Sequence, residues 1–135
     1  MTARRMLDTN TVSHLIKGHK AVARRLVQVP MASLCISAIT EGELQFGLAK
    51  RPAATQLRKA VHEFLQRVDV LAWDSVIAQG YGRLRAQLQA SGKTLGSLDL
   101  LIGAHALATG SILVTNDKAF SMADGLQLED WTELE

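Results

Sequence analysis

Four acidic residues stand where an acid has to be explained: Asp8 directly after the apolar pair Met6-Leu7, Glu43 within an apolar helical pattern, Asp99 between Leu98 and Leu100, and Asp117 just beyond Ile112-Leu113-Val114. Carboxylates gathered in one place repel. Two unit charges about 4 Å apart cost roughly 4 kcal/mol at an effective dielectric near 20. A fold keeps such a cluster when protons or a cation neutralise it, and an all-oxygen donor set suits Mg²⁺ or Mn²⁺ rather than zinc. No histidine or cysteine pairing has zinc-ligand spacing. Each acid also has a plain structural use. Asp8 fits a helix cap, and Asp99 a first helical turn, where the helix dipole favours negative charge. Glu43 stands three residues after Thr40, as in a capping box, and Asp117 follows Asn116 in a turn. Together the four point to a site more strongly than any one of them does.

The elements that must position them can be read from periodicity. Met6-Leu7 reads as a short buried strand that switches at Asp8 into a helix carrying Val12, Leu15 and Ile16. A second short helix covers 21–29 and ends at Pro30. Leu34-Cys35-Ile36 is an apolar strand closed by Ser37, a helix cap, and residues 38–50 form a helix with Ile39, Leu44, Phe46 and Leu48 as its apolar set. An amphipathic helix over 55–68 and a brief strand at Val70-Leu71 follow. Asp74 caps a long helix to about Ala90, buried through Val76, Ile77, Tyr81, Leu84 and Leu88. A very apolar helix from Leu98 to Thr109 ends at Gly110; 112–115 is the clearest strand, and 126–128 a last edge strand. Strands alternating with helices imply an α/β fold, a mainly parallel sheet covered on both faces. In such sheets ligands bind at the carboxyl ends of the strands, where all four acids can converge.

Composition sets the outer bounds. The 135 residues suit one domain, and a 47% hydrophobic fraction argues against disorder. No apolar run is long enough to span a bilayer and the start of the chain lacks a leader pattern, so no membrane association is expected. The single cysteine, Cys35, lies between Leu34 and Ile36 and reads as a buried core thiol in a reduced, cytoplasmic setting. The net charge of +2 hides an asymmetry: no Lys or Arg follows Lys118, so residues 1–123 hold fifteen basic against eight acidic residues. That excess suits a polyanionic partner, with Arg4, Arg5, Lys17, Lys20, Arg24, Arg25, Lys93 and Lys118 as phosphate contacts. His105, six residues past Asp99, does not share its helix face and reads as a packed or interface histidine. Gly103, Ala104 and Ala106 imply close packing of that helix, on the sheet or across a dimer.

Four stretches carry a resemblance: Met6-Leu7-Asp8-Thr9-Asn10; Ile36-Ser37-Ala38-Ile39-Thr40 leading to Glu43-Leu44 and Gly47; Gly96 through Ala106; and Leu113-Val114-Thr115-Asn116-Asp117. In this order they resemble the PIN-domain family and, within it, the VapC-type toxins of bacterial toxin–antitoxin pairs. The resemblance implies a three-layer α/β/α sandwich of a single PIN-like domain over 1–135. It implies a Mg²⁺- or Mn²⁺-dependent endoribonuclease that acts on RNA, tRNA being the family's common target, and that is neutralised by a small antitoxin. Asp8, Glu43, Asp99 and Asp117 match the family's acidic quartet, Thr115 a small hydroxyl residue near the metals, and Asn10 a polar support for the first acid. The fourth acidic position varies among relatives, some of which carry Asn there. A homodimer is the expected assembly. No pair of histidines is expected to activate a ribose 2′-hydroxyl, so the cut is hydrolytic and leaves a 5′-phosphate.

Other readings fit less well. An aspartyl-phosphate phosphatase wants Asp-x-Asp after the first strand, where Asn10 takes the second position. A receiver-like domain wants a lysine after a late strand, which Lys118 fills loosely. A non-toxin nuclease, one cutting DNA, and a non-catalytic metal-binding domain remain alternatives. The antitoxin is expected in a groove formed by Val12, Leu15, Ile16, Val22 and Leu26 with Leu57, Val61 and Phe64, unless those side chains fill the chain's own core.

Overall fold

The computed structural model describes residues 3–133. In chain order the elements are β1 (Arg5–Leu7), α1 (Thr9–Ile16), α2 (Lys20–Leu26), a 3-10 turn (Met31–Ser33), β2 (Leu34–Ser37), α3 (Ala38–Lys50), α4 (Thr55–Arg67), β3 (Asp69–Leu71), α5 (Ser75–Ala90), α6 (Ser97–Thr109), β4 (Ile112–Val114), a 3-10 helix (Lys118–Met122) and β5 (Leu128–Glu129). The five strands form one sheet in the order β3-β2-β1-β4-β5, every pair parallel.

Strand alternation sorts the core into two layers. Leu7, Leu34, Ile36 and Val114 point to one face and pack with Val12, Val22, Leu44, Val61 and Trp131. Met6, Cys35 and Leu113 point to the other, against Ile102 and Ala106 of α6 and Phe120. Beyond them α5 packs on α6 through Ile77, Leu84, Leu88, Leu100 and Ala104. The result is a three-layer α/β/α sandwich. None of the described helices is long and apolar enough to cross a membrane.

Several boundaries follow local chemistry. Ser37 Oγ accepts from Ile39 N at 3.1 Å and starts α3, while Asp74 accepts from Val76 N and Ile77 N and starts α5. Gly110 closes α6 at φ 64°, the left-handed conformation that glycine adopts without steric cost. The small residues of α6 serve this chain's own packing: a Cβ on Gly103 would stand 3.4 Å from Phe120, and Ala104 and Ala106 are buried. Cys35 is a core thiol, its pKa pushed to about 11, above all by burial.

Other expectations shift. The second helix stops at Leu26, short of Pro30, and the last strand falls at Leu128–Glu129, later than 126–128. Phe46 and Val76 are not core residues; they are 63% and 65% exposed. On α3, Leu44 and Leu48 form the inward line at i and i+4, which leaves Phe46 facing out.

Arg5 and Arg25 are not free for phosphate. Arg5 makes a paired contact to Glu129, Nε–Oε1 at 2.9 Å and the terminal nitrogen Nη2–Oε2 at 3.0 Å. Trp131 Nε1 donates to the same carboxylate at 3.0 Å, and Arg25 lies 3.7 Å from it and over the Trp131 ring. This clasp fastens β5 to β1, strands that are not neighbours in the sheet. The hydrogen bond from Arg5, with Trp131's beside it, holds the Glu129 carboxyl below its ordinary value of 4.5, against the opposing effect of burial. A depressed acid stabilises the fold above its unfolded pKa and loses that contribution as pH falls through its folded value. Glu129→Gln should therefore lower the melting temperature at pH 7, and the difference from the unmodified chain should shrink below about pH 4.5. Thermal scans from pH 7 to pH 3 check this.

Candidate functional site

β1 lies at the centre of the sheet; the chain first builds outward to β2 and β3, then returns to add β4 and β5 on the other side. The switch point is therefore the seam between β1 and β4, and the crevice at its carboxyl end is where ligands bind in parallel α/β sheets. Asp8 N donates to the Val114 carbonyl at 3.1 Å, and Thr11 Oγ1 donates to the same carbonyl at 3.0 Å. The end of β1, the first turn of α1 and the end of β4 are thus tied together.

Asp8 is 4% exposed. One of its oxygens accepts from Thr11 N at 2.8 Å, so it is the N-cap of α1, which begins at Thr9. The second carboxylate oxygen remains for other use. Asp99 sits in the first turn of α6, half-buried. Its carboxyl is pushed up from the ordinary 3.8, chiefly by burial and then by the charges of Asp117, Asp8 and Glu43 in that order. The fold therefore brings the four acids from four separate segments into one electrostatic neighbourhood.

Glu43 does not complete a capping box, because α3 starts at Ser37 and not at Thr40. Its Oε1 accepts from Thr9 Oγ1 at 2.6 Å, and the Thr9 hydroxyl also lies 3.3 Å from Thr40 Oγ1. Thr9 is the residue that sequence reasoning missed; the one available signal was a hydroxyl directly following the first acid, at the start of a helix. Asp117 caps the 3-10 helix through Ala119 N at 2.9 Å. Thr115, nearly buried, accepts from Asp117 N at 3.0 Å and so shapes the turn that presents this acid. Asn10 is exposed in the first turn of α1, and the contact made to Asp8 comes from Thr11 N instead.

His105 is packed, as expected from its helix face. It is fully buried, with Nδ1 2.7 Å from Ser37 Oγ and Nε2 without a hydrogen-bond partner. Burial pushes its pKa below 6.5, opposed by Asp74, which favours neutral imidazole. It links α6, which carries Asp99, to the cap of α3, which carries Glu43. His14 and His19 stack edge to face, 5.1 Å apart, at the C-terminal end of α1, away from the acids.

The donors available at the seam are all carboxylate and hydroxyl oxygens, a set that fits a hard divalent cation. Among the described residues no three His, Cys, Asp or Glu side chains already stand as a finished cage for one ion. Three of the four carboxylates are turned onto donors of the chain itself. Beside Glu43 a cleft of about 180 Å³ opens between α1, α3 and α4, floored by Ile16, Leu44 and Val61 and edged by Lys17, Lys50 and Arg51. Of the apolar groove expected from sequence only Ile16, Leu57 and Val61 line this cleft, and all eight of the expected side chains lie in the core or pack against it.

A family model described as PIN domain matches residues 5–126. The chain belongs to the PIN domain family. This PIN domain is 35% identical over 128 residues to the tRNA(fMet)-specific endonuclease VapC of Shigella flexneri, a match covering 94% of this chain and 97% of that protein. It is 36% identical to Ribonuclease VapC1 of Haemophilus influenzae, covering 95% and 98%. Among solved structures it superposes on DNA-bound VapBC from Salmonella typhimurium with a TM-score of 0.89 at 34% identity, covering 96% of this chain and 99% of that one. On VapBC2 from Rickettsia felis bound to a promoter DNA fragment the TM-score is 0.87 at 32% identity, covering 94% and 98%.

A raised carboxyl binds its proton more tightly in the folded state, so it favours folding at low pH and costs stability as pH rises through its folded value. Asp99→Asn should thus raise the melting temperature of the metal-free PIN domain at pH 7, with the gain vanishing near about pH 3. Thermal scans in EDTA at the two pH values measure it.

Proposed function

We propose that this chain is a VapC-type toxin: a single-domain, divalent-metal-dependent endoribonuclease that hydrolyses RNA phosphodiesters, with tRNA as its substrate class. The observation that carries this reading is the Asp99 carboxyl, pushed up by burial and then by the charges of Asp117, Asp8 and Glu43. A cluster that penalises its own charge is suited to a cation. The named relatives, endonucleases and ribonucleases matched over nearly their whole length, support the RNA-cleaving chemistry.

In this reading the four acids hold one or two Mg²⁺ or Mn²⁺ ions. The bound ion supplies an acidified water and charge neutralisation at the phosphate. The chain's own groups do the positioning. Thr11 N fixes one oxygen of Asp8 and leaves the other for the ion. Thr9 Oγ1 orients Glu43, and Thr115 Oγ1 holds the turn that carries Asp117. Asn10, exposed in the first turn of α1, is left as a polar group for the substrate side, since Thr11 N makes the contact to Asp8. Lys17, Lys50 and Arg51 edge the cleft beside Glu43 and offer countercharge to the RNA backbone.

A nuclease active on its host's cytoplasmic RNA requires restraint, and the reading includes a small cognate antitoxin; the solved VapBC complexes of similar chains support it. The reading also includes a homodimer, to which the exposed Val76 on α5 offers an apolar contact.

The test is cleavage of total RNA by the purified chain with Mg²⁺ or with EDTA. Asp8→Ala should reduce cleavage by at least about 100-fold. Thr9→Val, which loses the hydroxyl that orients Glu43, should lower it by about 10- to 100-fold, as for other groups that orient metal ligands. Full-rate cutting by Asp8→Ala, or cutting unaffected by EDTA, overturns the reading.

A further inference from the structure

Phe46 is not part of the core. It is 63% exposed on α3, one turn from Glu43, and Lys50 Nζ lies over its ring at 4.8 Å from the centroid. The packing of α3 does not require it, since Leu44 and Leu48 supply the buried line. The same helix carries Gly47 in its interior, the residue type least suited to a helix after proline. A Cβ at Gly47 would meet nothing within 4 Å, so no close approach inside this chain repays that choice. Gly47 lines the cleft beside Glu43, together with Lys17, Lys50 and Arg51. One face of α3 thus presents, in sequence, an acid of the candidate site, an exposed aromatic ring, open floor and a cation.

We propose that Phe46 and Lys50 form a stacking platform for an unpaired nucleobase of the substrate, next to the phosphodiester held at Glu43, with Gly47 leaving room for the strand. This rests on the RNA-cleaving reading above and adds one contact to it: the Phe46 ring takes the face of an unpaired base, which a duplex does not offer. Aromatic faces bind unstacked bases of any sequence, and a neighbouring cation adds attraction for the backbone. Charge favours a nucleic acid over a protein helix here, because the cleft edge is basic at Lys17, Lys50 and Arg51 and a polyanion neutralises it. Bases inside a duplex have no free face to offer the ring.

The experiment uses the full chain with Asp8→Asn, which retains an oxygen for the α1 cap, and measures binding of a labelled single-stranded oligoribonucleotide of mixed sequence and of its duplex. Adding Phe46→Ala should weaken single-strand binding by roughly 5- to 100-fold, the range for removing one stacking aromatic, and leave duplex binding unchanged. Phe46→Trp should restore single-strand binding and lose fluorescence on adding RNA, a change absent from the Phe46 parent; Phe46→Leu should not restore it. Phe46 is largely exposed, so thermal scans should show each variant folded. Equal binding with and without the ring overturns the proposal, as does equal loss on single strand and duplex, or failure of Trp to restore. Unchanged RNA binding combined with loss of antitoxin binding also overturns it and assigns the ring to a protein contact. If the unmodified chain cuts RNA while Phe46→Ala binds normally, only the platform fails; if the unmodified chain does not cut RNA with any divalent cation, the nuclease reading fails with it.

Discussion

The acids can meet only because β1 and β4 lie side by side. That pairing joins residues from opposite ends of the chain: Thr11 Oγ1 donates to the Val114 carbonyl across 103 positions, and Leu7 is in register with Val114. Parallel strands need long crossovers, and here everything between α1 and α6 is spent on building one flank of the sheet before the chain returns. The seam is where the two flanks part, so its carboxyl end is open, and the first residues past each strand project into it. Asp8 is the first residue past β1, and Asp117 the third past β4. Asp99 and Glu43 stand on helices that pack on opposite faces of the sheet, and the charge of Glu43 acts on the Asp99 carboxyl.

The arrangement opposes its own stability. Desolvation and three neighbouring acids disfavour the charge on Asp99, and the fold tolerates this because each surrounding group is held by something else. Thr11 N, Thr9 Oγ1 and Ala119 N each take one carboxylate oxygen. These bonds do two jobs. They offset part of the repulsion, since a hydrogen bond to the ionised form favours it, and they aim the carboxylates. His105 belongs to the same support. Buried without a partner at Nε2, it joins the cap of α3 to the middle of α6, so the helices bearing Glu43 and Asp99 share a polar contact inside an apolar layer.

At the far edge the opposite solution is used. Glu129 is satisfied by Arg5, Trp131 and Arg25, so this carboxylate meets cations and a neutral donor rather than other acids. Two of the eight basic residues that a charge count would lend to a polyanion are consumed there. The cations left at the cleft are Lys17, Lys50 and Arg51, and of these only Lys17 stands out in the sequence, because Lys50 and Arg51 look like the ordinary end of a helix.

Much of this was legible from residues alone. The α3 and α5 boundaries follow from Ser37 and Asp74, the end of α6 from Gly110, and the parallel sandwich from the alternation of short apolar runs with helical ones; all are local, set by periodicity and capping. The acids could be named for the same reason, since a charge beside apolar neighbours is conspicuous in one dimension. What only the tertiary structure decided is which groups face which. Thr9 and Asn10 are adjacent and equally polar in sequence, yet the helix turn aims Thr9 at Glu43 and leaves Asn10 exposed. Phe46 belongs to the same apolar set as Leu44 and Leu48 until the sheet fixes the rotation of α3 and turns it outward. Arg5 and Glu129 are 124 positions apart, and no local signal pairs them. Contacts between distant segments depend on the rotation and register of whole elements, which the packed core sets and a linear pattern does not contain.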